Sequence, residues 1–195
     1  MDTSSYSIGM IIAKNLKAQG ITNIDQSSFS KAMEDVFDGN DLALSLEEAN
    51  NQFREMVENA QRAAGEANKK AGEDFLEMNG KRETVITTET GLQYEIVEES
   101  KGLQKPMLLD KVKVHYHGTL IDGTVFDSSV DRNEPISFPL NGVIKGWQEG
   151  LQLMTVGSKY RFFIPYDLAY GPRGAGEAIG PFSALIFDVE LLAIE

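Results

Sequence analysis

The chain has 195 residues, 42% of them apolar and 25% charged, with a net charge of −12 and an isoelectric point near 4.6. The proportions are those of an ordinary globular protein, and the acidity, shared by both halves, argues against nucleic-acid or anionic-membrane partners. With no cysteine, a disulfide framework, a thiol nucleophile and cysteine-held zinc are excluded.

The opening Met1-Asp2-Thr3-Ser4-Ser5 has no basic region, and Ile8 to Leu16 is too short and interrupted to span a membrane. The compartment expected is the cytoplasm, or the periplasm where a signal peptide has been removed. Ile8, Ile11, Ile12 and Leu16 follow helical spacing, and Gly20 stops that helix. Phe29, Ala32, Met33, Val36 and Phe37 repeat the pattern up to Gly39. Ser45-Leu46-Glu47-Glu48 has the form of a capping box, and no proline interrupts the helical composition from there to about Asn79. At ~1.5 Å per residue this third helix extends on the order of 50 Å.

Its apolar stripe runs Leu46, Ala49, Phe53, Met56, Ala60, Ala63 and Ala67, so large side chains give way to alanine. That predicts a packing face near the start and a mostly solvated rod beyond it, able to bend at Gly65 and Gly72. Two short helices and the start of a long one make a poor core, and a second copy with the same apolar faces is the simplest cover. A homodimer through residues 1–60 is therefore expected.

The grammar changes near Gly80–Gly91. All six prolines lie at or after Pro106, and 12 of the 17 aromatic residues lie after residue 90. The boundary predicted is a helical dimerisation domain and stalk over residues 1–83 and a second domain over 84–195. In the second, Leu92, Tyr94 and Ile96 alternate with polar residues, as do Val112, Val114 and Tyr116. Residues 159–164 and 184–194 also read as strands, with turns at Asp122-Gly123, Asn141-Gly142 and Gly171-Pro172-Arg173-Gly174. One short helix is expected near Trp147 to Met154. The fold class is α+β, an antiparallel sheet wrapped on one helix after an all-helical N-terminal domain.

There is no frame for a Ser-His-Asp set, no H-E-x-x-H and no P-loop lysine. Gly174-Ala175-Gly176 fails the dinucleotide pattern and reads as a mobile loop. His115 and His117 share a strand face but lack a third ligand nearby, so neither a metal nor a cofactor is expected. What stands out is aromatic and aliphatic residues beside turns: Tyr116, Phe126-Asp127, Val143-Ile144 ahead of Gly146-Trp147, and Tyr170.

Val114-His115-Tyr116-His117-Gly118, Gly123-Thr124-Val125-Phe126-Asp127-Ser128-Ser129, Val143-Ile144-Lys145-Gly146-Trp147-Gln148-Glu149-Gly150, Ala169-Tyr170-Gly171 and Leu185-Ile186-Phe187-Asp188-Val189-Glu190-Leu191 resemble the FK506-binding-protein family of peptidyl-prolyl isomerases, in the family's order. The first half, including Tyr6-Ser7-Ile8-Gly9, resembles more loosely the helical dimerisation domain of the macrophage-infectivity-potentiator and FKBP22-like bacterial members. The resemblance implies a bent sheet of five or six strands around one helix, with a proline pocket between them. It implies that Tyr116, Phe126, Val143, Ile144, Trp147, Ile179 and Phe187 line the pocket, with Trp147 as its floor. Asp127 and the Tyr170 hydroxyl become the main polar groups, with Arg132 steadying the Asp127 charge. It further implies isomerisation of X-Pro bonds in unfolded or partly folded chains, a chaperone role, and affinity for FK506- or rapamycin-type ligands. A non-enzymatic holdase or docking module on the same fold is the alternative.

Three departures bear on the site. Ile136 stands where relatives often carry an aromatic residue, which predicts a less stackable wall. The segment between Phe138 and Val143 is shorter than in small single-domain members. Ala178-Ile179-Gly180-Pro181 has alanine and glycine where isoleucine and proline are common, which predicts a looser loop over the pocket.

Overall fold

Helices begin here where a short polar side chain takes an otherwise unbonded amide. The computed structural model describes residues 1–195. An Asp2 carboxylate oxygen accepts the Ser5 N–H at 2.7 Å ahead of α1 (Thr3–Ala18), and Asp25 accepts from Ser28 at 2.8 Å ahead of α2 (Gln26–Asp38). The Ser45 N–H donates to Glu48 at 2.9 Å and the Glu48 N–H returns to Ser45 Oγ at 3.2 Å, closing the expected capping box of α3 (Leu46–Asn79). Gly39, at φ 71°, ends α2 in the left-handed region.

The chain divides into two compact units, Met1–Ala64 and Gly65–Glu195. The first holds α1, α2 and the opening turns of α3. The helical periods are those expected, yet no residue of α1 is buried and Ile21 is the unit's one buried apolar side chain. Ile8, Ile11, Val36 and Phe37 are 56, 56, 63 and 79% exposed. Ala32 and Val36 of α2 face Leu42, Leu44 and Leu46 across an apolar groove of about 590 Å³.

The second unit contains the end of α3, seven strands and one regular helix. The strands are β1 (Ile86–Thr87), β2 (Gln93–Glu98), β3 (Lys111–Leu120), β4 (Val125–Ser128), β5 (Ile136–Pro139), β6 (Lys159–Ile164) and β7 (Leu185–Ile194). They form one antiparallel sheet in the order β1-β2-β6-β7-β3-β4. The count exceeds the five or six expected because the two-residue β1 adds to β2, while β4 and β5 share one edge of β3. Alternation sends Val112, Val114 and Tyr116 of β3 inward, opposite Leu185, Phe187, Val189 and Leu191 of β7. Each such side chain contributes roughly 1.5–3 kcal/mol by leaving water.

Helix α4 (Lys145–Leu153) packs on the buried face of the sheet. It lies unusually close because Gly146 and Gly150 face the sheet: an added Cβ would come within 2.5 Å of Ile164 and 2.6 Å of Phe162. Trp147 and Leu151 thereby reach the core.

The far end of α3 departs from the sequence reading. The helix runs unbroken through Gly65 and Gly72, and both glycines are buried rather than points of bending in a solvated rod. A Cβ at Gly65 would lie 3.1 Å from the Phe182 ring, and one at Gly72 would lie 3.1 Å from Ala184. Further along, the Phe75 ring sits 6.0 Å from that of Phe163 on β6. Asn79 donates to the Gln93 side chain at 2.9 Å, Gln93 donates to the Leu76 carbonyl at 2.8 Å, and Arg82 pairs with both oxygens of Glu95. Small residues let the helix approach; large and polar ones then hold it.

Candidate active site

The period-2 exposure of β3 aims Tyr116 at the buried face of the sheet. The turn to β4 is built by Gly123 at φ 86° and by Asp122, whose carboxylate accepts the Thr124 N–H at 2.9 Å. Strand β4 then sets Asp127 opposite Gly118. That glycine leaves room for two rings, since a Cβ there would lie 2.7 Å from Phe126 and 2.8 Å from Phe187. Strand β5 supplies Ile136 and Phe138. Gln148 of α4 donates to the Val143 carbonyl at 2.7 Å, fixing the Val143-Ile144 segment ahead of the helix.

These elements enclose a cavity of about 710 Å³. Tyr116, Phe126, Asp127, Ile136, Val143, Ile144, Trp147, Tyr170, Ile179 and Phe187 all line it, ten of the eleven residues singled out in the sequence. The eleventh, Arg132, stands behind the wall. Trp147 is 5% exposed, with ring centroids 5.0 Å from Phe187, 5.3 Å from Tyr116 and 5.4 Å from Phe138. The first two are edge-to-face, an arrangement that holds rings in fixed orientation. The Trp147 indole N–H is buried without a protein acceptor.

Tyr116, Asp127 and Arg132 form one connected polar group at the cavity. The Tyr116 hydroxyl donates to one Asp127 oxygen, the Arg132 guanidinium pairs with the other, and Arg132 also donates to the Tyr116 hydroxyl at 3.1 Å. Burial works against charge on Asp127, but the bonds from Tyr116 and Arg132 outweigh it and hold the carboxyl below the usual range. Burial, with Asp127 nearby, pushes the Tyr116 and Tyr170 hydroxyls upward, so both stay neutral donors near neutral pH. Tyr170 stays 40% exposed at the cavity rim.

The sequence reading omitted Phe138, Gly142 and the loop wall from Ala175 to Ala178. Phe138 was recoverable: it lies two residues from Ile136 on the same strand, hence on the same face. Its ring packs against Trp147 at an interplanar angle of 42° and supplies an aromatic wall beside the aliphatic Ile136. The loop read as mobile is bonded at its base, with Ala175 and Ile179 exchanging backbone bonds at 2.8 and 3.2 Å. His115 and His117 are occupied by Ser129 and Ser128, and no three His, Cys, Asp or Glu side chains gather as a metal set would.

An antiparallel sheet packed on one helix, with an aromatic-lined cavity between them, is the arrangement that the resemblance to prolyl isomerases implied. Comparison with known proteins gives the family. Residues 102–192 match the model of the FKBP-type peptidyl-prolyl cis-trans isomerase, and residues 1–96 match that of the domain amino-terminal to it. The chain is 44% identical over 194 residues to the FKBP-type 22 kDa peptidyl-prolyl cis-trans isomerase of Escherichia coli, covering 98% of this chain and 94% of that one. It is 41% identical over 201 residues to the outer membrane protein MIP of Legionella longbeachae, covering all of this chain and 85% of that one. The crystal structure of FkpA from Escherichia coli superposes with a TM-score of 0.79 at 36% identity, covering 99% of this chain and 95% of that one. The chain belongs to the FKBP-type peptidyl-prolyl cis-trans isomerase family and is an isomerase of X-Pro peptide bonds. No helix in it is long and apolar enough to cross a membrane.

Proposed function

We propose that the cavity between sheet and α4 is where the reaction takes place. A proline ring enters over Trp147, between Tyr116, Phe126 and Phe187, while Ile136, Val143, Ile144 and Ile179 exclude water around it. Asp127, Tyr116 and Tyr170 engage the flanking peptide, and Arg132 keeps Asp127 ionised and in place. The observation that carries this reading is the convergence of ten side chains on one largely apolar cavity with a single anchored carboxylate.

Such a site needs no acid, base or nucleophile. The rotation barrier of ~18–20 kcal/mol comes from amide resonance. A planar amide is more charge-separated than a twisted one, so a water-poor pocket disfavours the ground state relative to the twisted transition state. Donors aimed at the imide nitrogen or the preceding carbonyl add to that difference. Asp127→Leu and Tyr170→Phe test the assignment directly. Each should lower kcat/KM on a proline tetrapeptide by about tenfold, the factor attached to one polar contact of this kind. Wild-type rates in both would move the site elsewhere. An FK506- or rapamycin-type ligand would occupy the same cavity, and its arrival should alter Trp147 fluorescence.

The proposal extends to architecture. Residues 1–83 are the helical arm and residues 84–195 the isomerase domain, on which the arm's last turns lie. The exposed Ile8, Ile11, Val36 and Phe37 and the groove beside α2 support a homodimer through residues 1–60. Two linked pockets would hold one unfolded chain with an effective concentration that neither has alone, the basis for a chaperone role. Cell fractionation would distinguish a cytoplasmic placement from a periplasmic one.

A further inference from the structure

Two departures meet at one place: the loop lacks the isoleucine and proline expected at residues 178 and 180, and α3 is docked where a free rod was expected. The loop from Gly171 to Ser183 carries Ile179, 8% exposed, into the cavity. Just beyond Ile179, Asn68 of α3 donates its side-chain amide to the Pro181 carbonyl at 2.9 Å, with Ser183 Oγ 3.5 Å away. Ser183 Oγ in turn donates to the Gly180 carbonyl at 2.9 Å. Gly180 leaves room for that amide: a Cβ there would come 2.9 Å from the Asn68 amide nitrogen, so the Asn68 side chain would have to shift off the Pro181 carbonyl.

The next residue shows that the turn is held rather than relaxed. Phe182 has φ 55°, a conformation that bulky L residues adopt only when their surroundings impose it. Its ring is trapped between Gly65 of α3 and Tyr166, 5.2 Å away edge-to-face, and its N–H donates to the Gly171 carbonyl at 2.9 Å. Gly171 follows Tyr170 at the cavity rim. The helix thus grips the loop two residues from one pocket residue and, through Phe182, one residue from another.

We infer that Asn68 is a positioning residue for the isomerase site, fixing through the Pro181 carbonyl the turn that carries Ile179 into the cavity. It touches no substrate. In a loop with alanine and glycine at residues 178 and 180, the neighbouring helix adds a hold on the turn beyond the loop's own Ser183–Gly180 and Ala175–Ile179 bonds. The inference rests on the cavity being the proline site, which Asp127→Leu and Tyr170→Phe test separately.

The full-length chain is compared with Asn68→Ala, Asn68→Asp, Gly180→Ala and the double variant Asn68→Ala/Gly180→Ala. Lys70→Ala, on the solvated side of α3, is the control. Amide hydrogen exchange at Ala175, Ile179 and Phe182 should quicken in both Asn68 variants while β3 and β7 keep their protection. Tetrapeptide kcat/KM should fall about three- to tenfold, the scale of one net hydrogen bond, with the loss carried by KM. The double variant should lose no more than Asn68→Ala alone, because both changes break one contact. Unchanged loop exchange in the Asn68 variants would overturn the tether. Faster loop exchange with wild-type kinetics would overturn its role in positioning, and loss of protection throughout β3 and β7 would make Asn68 a residue of general stability. Additive losses in the double variant would contradict the shared contact.

Discussion

Residues 1–64 and 65–195 place their large apolar side chains in opposite ways. In the second unit sixteen buried hydrophobic residues form one cluster around α4. In the first, Ile21 is the one buried apolar side chain, while Phe37 and Val36 are 79 and 63% exposed. The difference is geometric. A curved sheet closed on a helix has an inside, and β3, β7 and α4 fill it from three directions. Two short helices and part of a third enclose almost nothing, so regular amphipathic patterns leave their apolar faces outward. Burial follows from what the elements surround, not from how apolar each one is.

Three substitutions break or sharpen that contrast. The largest effect belongs to Trp147→Ala, which removes the cavity floor and a core ring together. It should cost roughly 3–5 kcal/mol of unfolding free energy, at any protein concentration, and abolish tetrapeptide isomerisation; urea denaturation and the peptide assay read both. On the homodimer proposed above, Phe37→Asp should leave the isomerase unit untouched but weaken self-association by about a hundredfold or more, because a charge would enter the apolar contact. Sedimentation across a dilution series checks this, and no change would mean the exposed faces do not pair. Arg132→Ala should have the smallest effect, about threefold on kcat/KM.

Arg132→Ala also carries a pH signature. Asp127 is held below its ordinary range, so the ionised, hydrogen-bonded form is complete above that range and is lost only as pH falls through the lowered value. Wild-type activity should therefore stay flat down to roughly pH 4–5. Removing Arg132 takes away one of the influences lowering that value, and the acid limb should move upward. A limb that stays put would mean that Tyr116 and the Ser128 backbone N–H set the Asp127 charge without Arg132.

Much of this was legible in the sequence where local rules act alone. The Ser45/Glu48 capping box, the stop at Gly39 and the alternation of Val112, Val114 and Tyr116 need only neighbouring residues. The cavity residues were legible through ordered motifs rather than periodicity, because Tyr116, Trp147 and Ile179 come from three distant segments. The docked end of α3 was not legible. Gly65 and Gly72 look like weak points in a helix when only helix propensity is considered. Their purpose appears once Phe182 and Ala184 lie against them, a contact across more than a hundred residues. Phe138 was legible by the same alternation that places Ile136, since both lie on one face of β5.

The central claim is that the isomerase site is complete within residues 65–195, the end of α3 included. Initial rates on a proline tetrapeptide, compared per chain between the full-length protein and residues 65–195, test it most directly. The two should agree to within about twofold, because every residue assigned to the cavity and its supports lies in that unit. A large loss in the shorter chain, with its sheet still folded, would mean that residues 1–64 contribute to the chemistry and would contradict the claim.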